Sequence, residues 1–403
     1  MEIREYKKYI KGDRIIWILL VALSCISLLI VYSSTGALAY RQMGGNTLHY
    51  ILHQFTFQCF GYGVIIGMIN LVKVSKYNKY ANFVFLFAIF IVCLGLVIGR
   101  GGEGTGRTIH FGIASFQPAE VAKVAIILWV ARLLANAQKD PRLLRISAIK
   151  IIMGIGLICA IISVANFSSA GLLFGTTLIM MFVGRVEKKF LSLVLIGALG
   201  FVVLIYFTAP LLPDVGRLQT VRNRMDRFFH KEKVSEKGLT QDDFAMIAVH
   251  RGGIAGVGAG KSKISNFMPA AYNDFIYAII VEEYGLIGGV IVLLLYLIFL
   301  TRGGIIIQRC NKSFPTFVAT GAVTIIILQA MVNMAVSSGG IPVTGQPLPW
   351  VSLGGSSQIF TAITFGLLLS VSSESSEEAP KEEENNLIPD NVLPEEDILM
   401  TQN

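Results

Sequence analysis

The stretch Ile15-Ile-Trp-Ile-Leu-Leu-Val-Ala-Leu-Ser-Cys-Ile-Ser-Leu-Leu-Ile-Val-Tyr-Ser33 carries no charged residue, and as a helix it is long enough to cross roughly 30 Å of hydrocarbon. Comparable apolar runs follow at 52–72, 81–99, 117–136, 146–166, 168–184, 190–209, 274–300, 314–337 and 353–373. Runs of this length satisfy their backbone inside lipid only as helices, so the pattern predicts an all-α polytopic integral membrane protein with about ten transmembrane helices. Composition agrees: 54% of the 403 residues are hydrophobic and 15% charged, against about a quarter charged in soluble chains. The net charge of +8 lies between the apolar runs, which argues against a nucleic-acid-binding face.

Lys and Arg in short loops are retained in the cytoplasm. They crowd the N-terminus (Arg4, Lys7, Lys8, Lys11, Arg14) and every second loop: Lys73, Lys76 and Lys79, then Arg132, Lys139, Arg142, Arg145 and Lys150, then Arg185, Lys188 and Lys189, then Arg302, Arg309 and Lys312. The alternate short loops carry only Arg41, then Arg100 and Arg107, and none around 166–168 or 338–352. Both termini are therefore expected in the cytoplasm. Three regions result: a basic N-terminus 1–14 leading into an uncleaved first span, a membrane domain 15–373, and an acidic tail 374–403 expected to be disordered. The five cysteines, Cys25, Cys59, Cys93, Cys159 and Cys310, place no thiol pair in an outward loop and form no Cys-x-x-Cys motif, so neither a disulfide nor a zinc site is expected.

One long extracytoplasmic loop, 210–273, lies between spans seven and eight, and connections of that length are usually functional. Leu218, Val221, Met225 and Phe228 recur in it at helical spacing, with Arg217, Arg222, Arg224 and Arg227 on the other faces, the pattern of a basic amphipathic helix at the membrane interface. Glycines then run from Gly252 to Gly260, followed by Lys261 and Ser262. A P-loop needs glycine where Ala255 stands and a strand before it, so nucleotide binding is set aside. A tight turn whose amides and Lys261 meet a phosphate is expected instead. His49 and His53 have metal-ligand spacing but lack the Glu of His-Glu-x-x-His and a third ligand, and no metal is assigned to them.

Ionisable residues at membrane depth are costly and usually functional. Glu120 and Lys123 share one face of span four, and Glu282 and Glu283 lie in span eight. They fit either internal ion pairs that fix helix packing or direct contact with a substrate. Asp274, shortly after Pro269, fits either a helix cap or a carboxylate tuned for general-base work.

Several segments, in order and spacing, resemble the SEDS family of bacterial cell-wall synthesis, the FtsW/RodA/SpoVE type. They are Ser115-Phe-Gln117-Pro118-Ala-Glu120-Val-Ala-Lys123; Gly256-Val-Gly258-Ala-Gly260 through Pro269 to Asp274-Phe275-Ile-Tyr277; Glu282-Glu283-Tyr-Gly285; and Pro342-Val-Thr344-Gly345-Gln-Pro347-Leu-Pro349 with Gly354-Gly355-Ser356-Ser357. The resemblance covers nearly the whole membrane domain. It implies a peptidoglycan glycosyltransferase of the bacterial cytoplasmic membrane that polymerises lipid II with inversion, releases undecaprenyl pyrophosphate and uses Asp274 as general base. It also implies substrate contacts by Gln117, Glu120, Lys123, Glu282, Glu283, Ser356 and Ser357. Arg107, Lys123, Lys261, Lys263 and the arginines of 217–227 are candidates for the pyrophosphate, with a divalent cation, Mg or Mn, as the other source of positive charge.

The implied partners are a class B penicillin-binding protein, an FtsI-like transpeptidase with one span, and other divisome membrane proteins. The run from Ala271 to Tyr277 with Glu282-Glu283-Tyr-Gly285 is closer to division-type members, which implies a place at the septum. The chain departs from the family pattern at Thr108 (usually Trp), Ala119 (usually Ser), Ser265 (often basic) and Ala165-Asn166-Phe167 (often acidic). A lipid II flippase and a noncatalytic divisome scaffold are the rival readings. Transport predicts paired broken helices, whereas polymerisation needs a catalytic group on the outer face.

Overall fold

The computed structural model describes residues 11–36, 38, 40, 46–99, 109–111, 114–209, 218–229, 239–268 and 271–387. Its helices are α1 (Arg14–Ser34), α2 (Thr47–Leu71), α3 (Val74–Gly99), α4 (Pro118–Ala137), α5 (Pro141–Val183), α6 (Lys188–Thr208), α7 (Leu218–Phe229), α8 (Gln241–Gly252), α9 (Ile276–Arg309), α10 (Ser313–Ser337) and α11 (Gly355–Leu387). A short antiparallel hairpin, β1 (Ile109–Phe111) with β2 (Ala114–Phe116), pairs Ile109 with Phe116 just before α4. Local chemistry sets the helix starts: Asp13 accepts from Ile15 N (2.9 Å) and Ile16 N (3.2 Å), and Asp140 accepts from Arg142 N (2.8 Å). Pro118 and Pro141 open α4 and α5, where an N–H has no use.

Seven of the described helices, α1, α3, α5, α6, α9, α10 and α11, are long and apolar enough to cross a membrane. At 43 residues α5 would measure about 65 Å if straight. It breaks at Asn166 (φ −151°, ψ 87°), whose Oδ1 accepts from Ser169 N (3.3 Å) and so caps the second half. The expected spans 146–166 and 168–184 meet at this break.

Helices α4 and α10 form the centre, with α3, α5, α9 and α11 packed around them and α2 lying along α11. Small residues permit the close approach. Ala119, Ala122, Ala125 and Ala131 of α4 are buried, and a Cβ on Gly321 of α10 would stand 2.8 Å from the Ile127 side chain. Helix α6 is peripheral, with only Ile205 buried.

Two expectations change. The segment 338–352, expected as an outward loop, turns into the body: Gln346 and Leu348 to Leu353 are buried, because Leu-Pro-Trp-Val is too apolar to leave in water and its prolines bring no N–H to satisfy. Within the long loop, Thr240 and Asp243 form a capping box that opens α8. Finally, α11 continues past Ser373 to Leu387, into the tail expected to be disordered. A helix already nucleated in the body propagates into the Glu-rich sequence that follows it. Residues 1–10 and 388–403 lie outside the described residues.

Helix α9 breaks at Gly285, whose φ of 69° and ψ of −171° belong to a region that only glycine occupies readily. The break frees two carbonyls and two amides, and the glycine run after α8 takes all four. Val257 N donates to Glu282 O (2.9 Å), Gly258 N to Glu283 O (3.0 Å), Leu286 N to Gly253 O (2.9 Å) and Ile287 N to Ile254 O (3.4 Å). The two backbones touch: a Cβ on Gly252 would lie 2.0 Å from Val281 O, and one on Gly285 2.1 Å from Ile254 O. The amides expected to meet a phosphate are therefore used on α9.

Gly285→Ala is expected to cost about 1–3 kcal/mol from backbone conformation alone, with the clash in addition. Gly197→Ala, on α6 with open space around it, should be neutral or slightly stabilising. Thermal unfolding of both variants in one detergent measures the contrast.

Candidate functional site

Asp274 stands in the turn 271–275 before α9, half-buried. The N-cap position of α9 is Phe275, which makes no side-chain cap bond; Asp274 lies one residue outside it. Three consecutive carbonyls of this turn accept from the segment between α10 and α11 or from α10 itself. Leu353 N donates to Tyr272 O (3.1 Å), Ser352 Oγ to Asn273 O (2.7 Å) and Asn333 Nδ2 to Asp274 O (2.9 Å). Beneath the turn, Phe275 packs with Ala245, Ala248, Met268, Ala271 and Val336. Burial holds the Tyr272 hydroxyl above its ordinary value, and neighbouring Tyr50 and Asp274 push the same way.

The buried charges form bonded sets inside the protein. Lys123 Nζ donates to Glu120 Oε1 (2.8 Å) and to Gln329 Oε1 of α10 (2.8 Å). Gln329 Nε2 in turn donates to Pro347 O (2.9 Å). Glu282, fully buried, accepts from Arg251 Nη1 (2.8 Å), from Ser262 Oγ and from Lys263 N (3.3 Å). Glu283 accepts from Ser33 Oγ of α1. Of the other expected contacts, Lys261 and Lys263 are on the glycine loop, Lys261 exposed and Lys263 exposed, Gln117 is the half-buried N-cap of α4, and Ser356 and Ser357 are half-buried in the first turn of α11. Arg107, Arg217 and Pro269 lie outside the described residues.

The expected amphipathic helix is present as α7. Arg224 Nη1 donates to Val343 O (2.9 Å) and ties it to the segment after α10. An apolar groove of about 410 Å³ runs between Gly171 and Gly175 of α5, Val221 and Met225 of α7, Leu328 and Val332 of α10, and residues 341–344. A polar cavity of about 390 Å³ shares Arg224 and Val343 with it and adds Arg227, Thr240, Gln241 and Asp242. A long apolar chain with a polar, anionic head matches the two chambers together. Among the described residues, no three His, Cys, Asp or Glu side chains converge to hold a metal ion.

Sequence reading missed Arg224 as a tether, Arg251 as the partner of Glu282, and Gln329, Asn333 and Ser352 altogether. Gln329 and Asn333 carried a usable signal, being uncharged polar residues one turn apart in an apolar span.

If Glu120 and Lys123 serve packing, Lys123→Met should cost about 3–5 kcal/mol by stranding a buried carboxylate. The double variant Glu120→Gln/Lys123→Met should then be more stable than that single one. Equal losses in thermal unfolding would instead point to a partner outside the pair.

Comparisons with known proteins bear on the whole of this arrangement. A probable peptidoglycan glycosyltransferase FtsW of Geobacter metallireducens is 28% identical over 377 residues, covering 92% of this chain and 96% of that one. The stage V sporulation protein E of Bacillus subtilis is 31% identical over 369 residues, covering 89% and 96%. Among solved structures, a chain of a peptidoglycan synthase complex that coordinates polymerization and crosslinking superposes with a TM-score of 0.71 at 20% identity, over 90% of this chain and 98% of that one. The rod shape determining protein RodA of Thermus thermophilus gives 0.60 at 20% identity, over 91% and 99%. The two structures share the fold, the two sequence relatives extend over nearly the full length, and the family match runs from residue 13 to residue 377: the chain is a multi-pass membrane protein and belongs to the FtsW/RodA/SpoVE family of cell cycle proteins.

Proposed function

We propose that this protein is a peptidoglycan glycosyltransferase that polymerises lipid II at the outer face of the bacterial cytoplasmic membrane, with Asp274 as general base. The observation that carries the reading is the apolar groove that shares Arg224 and Val343 with an arginine-bearing polar cavity. Lipid II has that form, with a polyprenyl tail in the bilayer and a sugar pyrophosphate at its surface. In the reaction, the 4-hydroxyl of an acceptor GlcNAc attacks the anomeric carbon of a donor MurNAc. Asp274 takes the hydroxyl proton as the new bond forms, and undecaprenyl pyrophosphate departs with inversion. Arg224 and Arg227 offer positive charge to the leaving group.

The proposed topology has ten spans, with α2 and α4 added to the seven most apolar helices and α5 counted as two crossings on either side of Asn166. Both termini are cytoplasmic, and α7, α8 and the glycine loop are outside. The broken helix α9 is similar to a transporter feature in outline only, because the backbone groups freed at Gly285 are bonded to the glycine loop. Full-length similarity to FtsW proteins supports a role in division, with a class B penicillin-binding protein as cross-linking partner.

Purified protein with its transpeptidase partner, given lipid II dispersed in detergent, should make glycan polymer. Asp274→Asn and Asp274→Ala should be slower by about 10²-fold or more. If wild type makes no polymer, or both variants polymerise normally, the assignment is lost. For topology, a cysteine-free background carrying Lys263→Cys should react with a membrane-impermeant maleimide in intact cells, and Ser313→Cys only after lysis. The reverse pattern would invert the orientation.

A further inference from the structure

We infer that Asn333 and Ser352 are positioning residues for Asp274, an inference that rests on the general-base reading of that aspartate. Asn333 is fully buried on α10, and its two amide hydrogens serve two different pieces of chain. One bond goes to Asp274 O (2.9 Å) and the other to Gln346 O (2.8 Å). The first carbonyl belongs to Asp274 itself, so the bond restrains ψ of that residue and the position of the Cα that carries the carboxylate. Ser352 does the same one residue earlier. Its Oγ donates to Asn273 O (2.7 Å) while accepting from Leu348 N (2.8 Å).

The turn thus hangs from two side chains that themselves grip the segment 346–352, rather than from a regular helix end. The Asn333 carboxamide oxygen has no hydrogen-bond partner. An apolar side chain of similar size would fill the space without burying that acceptor, so the two donated bonds are what distinguishes asparagine here. Both residues sit behind the turn in the protein interior, Ser352 being 4% exposed. They act on the carboxylate's location and do not offer a surface to a substrate.

A general base must lie within hydrogen-bond reach of the proton it takes, and displacement of about 1 Å costs up to about 10²-fold in rate. The test measures kcat and KM for lipid II polymerisation by the full chain with its partner, together with thermal unfolding. The variants are Asn333→Ala, Ser352→Ala, Asp274→Asn and Tyr296→Phe. Tyr296 supplies the control, because its hydroxyl holds Pro349 O (2.5 Å) in the same segment but away from the Asp274 turn.

The expected result is a loss of kcat of about ten- to a hundredfold in Asn333→Ala and Ser352→Ala with KM unchanged. Tyr296→Phe should melt lower but keep its kcat. Should Asn333→Ala not fold, Ser352→Ala carries the measurement. Wild-type kcat in both variants overturns the proposal while leaving the base role of Asp274 standing, provided Asp274→Asn is inactive. A raised KM with unchanged kcat overturns it by showing substrate contact, and an equal loss of kcat in Tyr296→Phe overturns it by showing that general stability of the segment is responsible. A fully active Asp274→Asn removes the underlying reading and the proposal with it.

Discussion

Between α10 and α11 the chain runs through the interior of the membrane body without forming a helix, and each buried backbone group left unpaired there would cost several kcal/mol. Four side chains from three helices help meet that demand. Tyr296 of α9 donates to Pro349 O (2.5 Å), Ser27 of α1 to Val351 O (2.8 Å), Gln329 of α10 to Pro347 O (2.9 Å) and Asn333 of α10 to Gln346 O (2.8 Å). Gln54 of α2 supports Ser27 (2.6 Å), and Trp350 Nε1 reaches Ser24 Oγ halfway along α1 (2.8 Å). Trp350 is itself buried, with positive φ, between the rings of Tyr62 and Phe365. Helices distant in the chain are therefore held by one strand of irregular backbone.

The turn bearing Asp274 depends on that strand. Its carbonyls at 272, 273 and 274 are bonded to Leu353, Ser352 and Asn333, so the aspartate is held by the last residues before α11 and by one side chain of α10. Further along α9, the break at Gly285 is closed by the glycine run, backbone to backbone. The first part of α9 is thus fixed at both ends by irregular chain, and the second part is free to pack as an ordinary apolar helix.

Charge inside the body is largely used internally. Glu120, Lys123 and Gln329 form one set, and Glu282 with Arg251 another. Buried ion pairs add little net stability but are expensive to break, and here they join elements that would otherwise meet only through apolar contact: α4 to α10, and α8 to α9. Arg224 and Arg227 line the polar cavity, and Arg224 also donates to Val343 O (2.9 Å).

Much of this is legible in the residues alone. Apolar run length marks crossings because hydrocarbon thickness is fixed, and the runs flanking Asn166 are separate in the sequence pattern as they are in the structure. Helical spacing of Leu218, Val221, Met225 and Phe228 marks α7. Which residue of another helix meets Lys123, which residue meets Glu282, and what the glycines approach stay open at that level, because periodicity describes one element and these contacts join residues far apart in sequence. Asp274 can be singled out as a carboxylate where the chain enters a span, with cap and base equally open. Sequence by itself determined a helical membrane body and the residue types available to it. Only the tertiary structure decided that the segment after α10 folds inward and holds the Asp274 turn, because that outcome rests on satisfying buried backbone groups with side chains from helices up to 324 positions away.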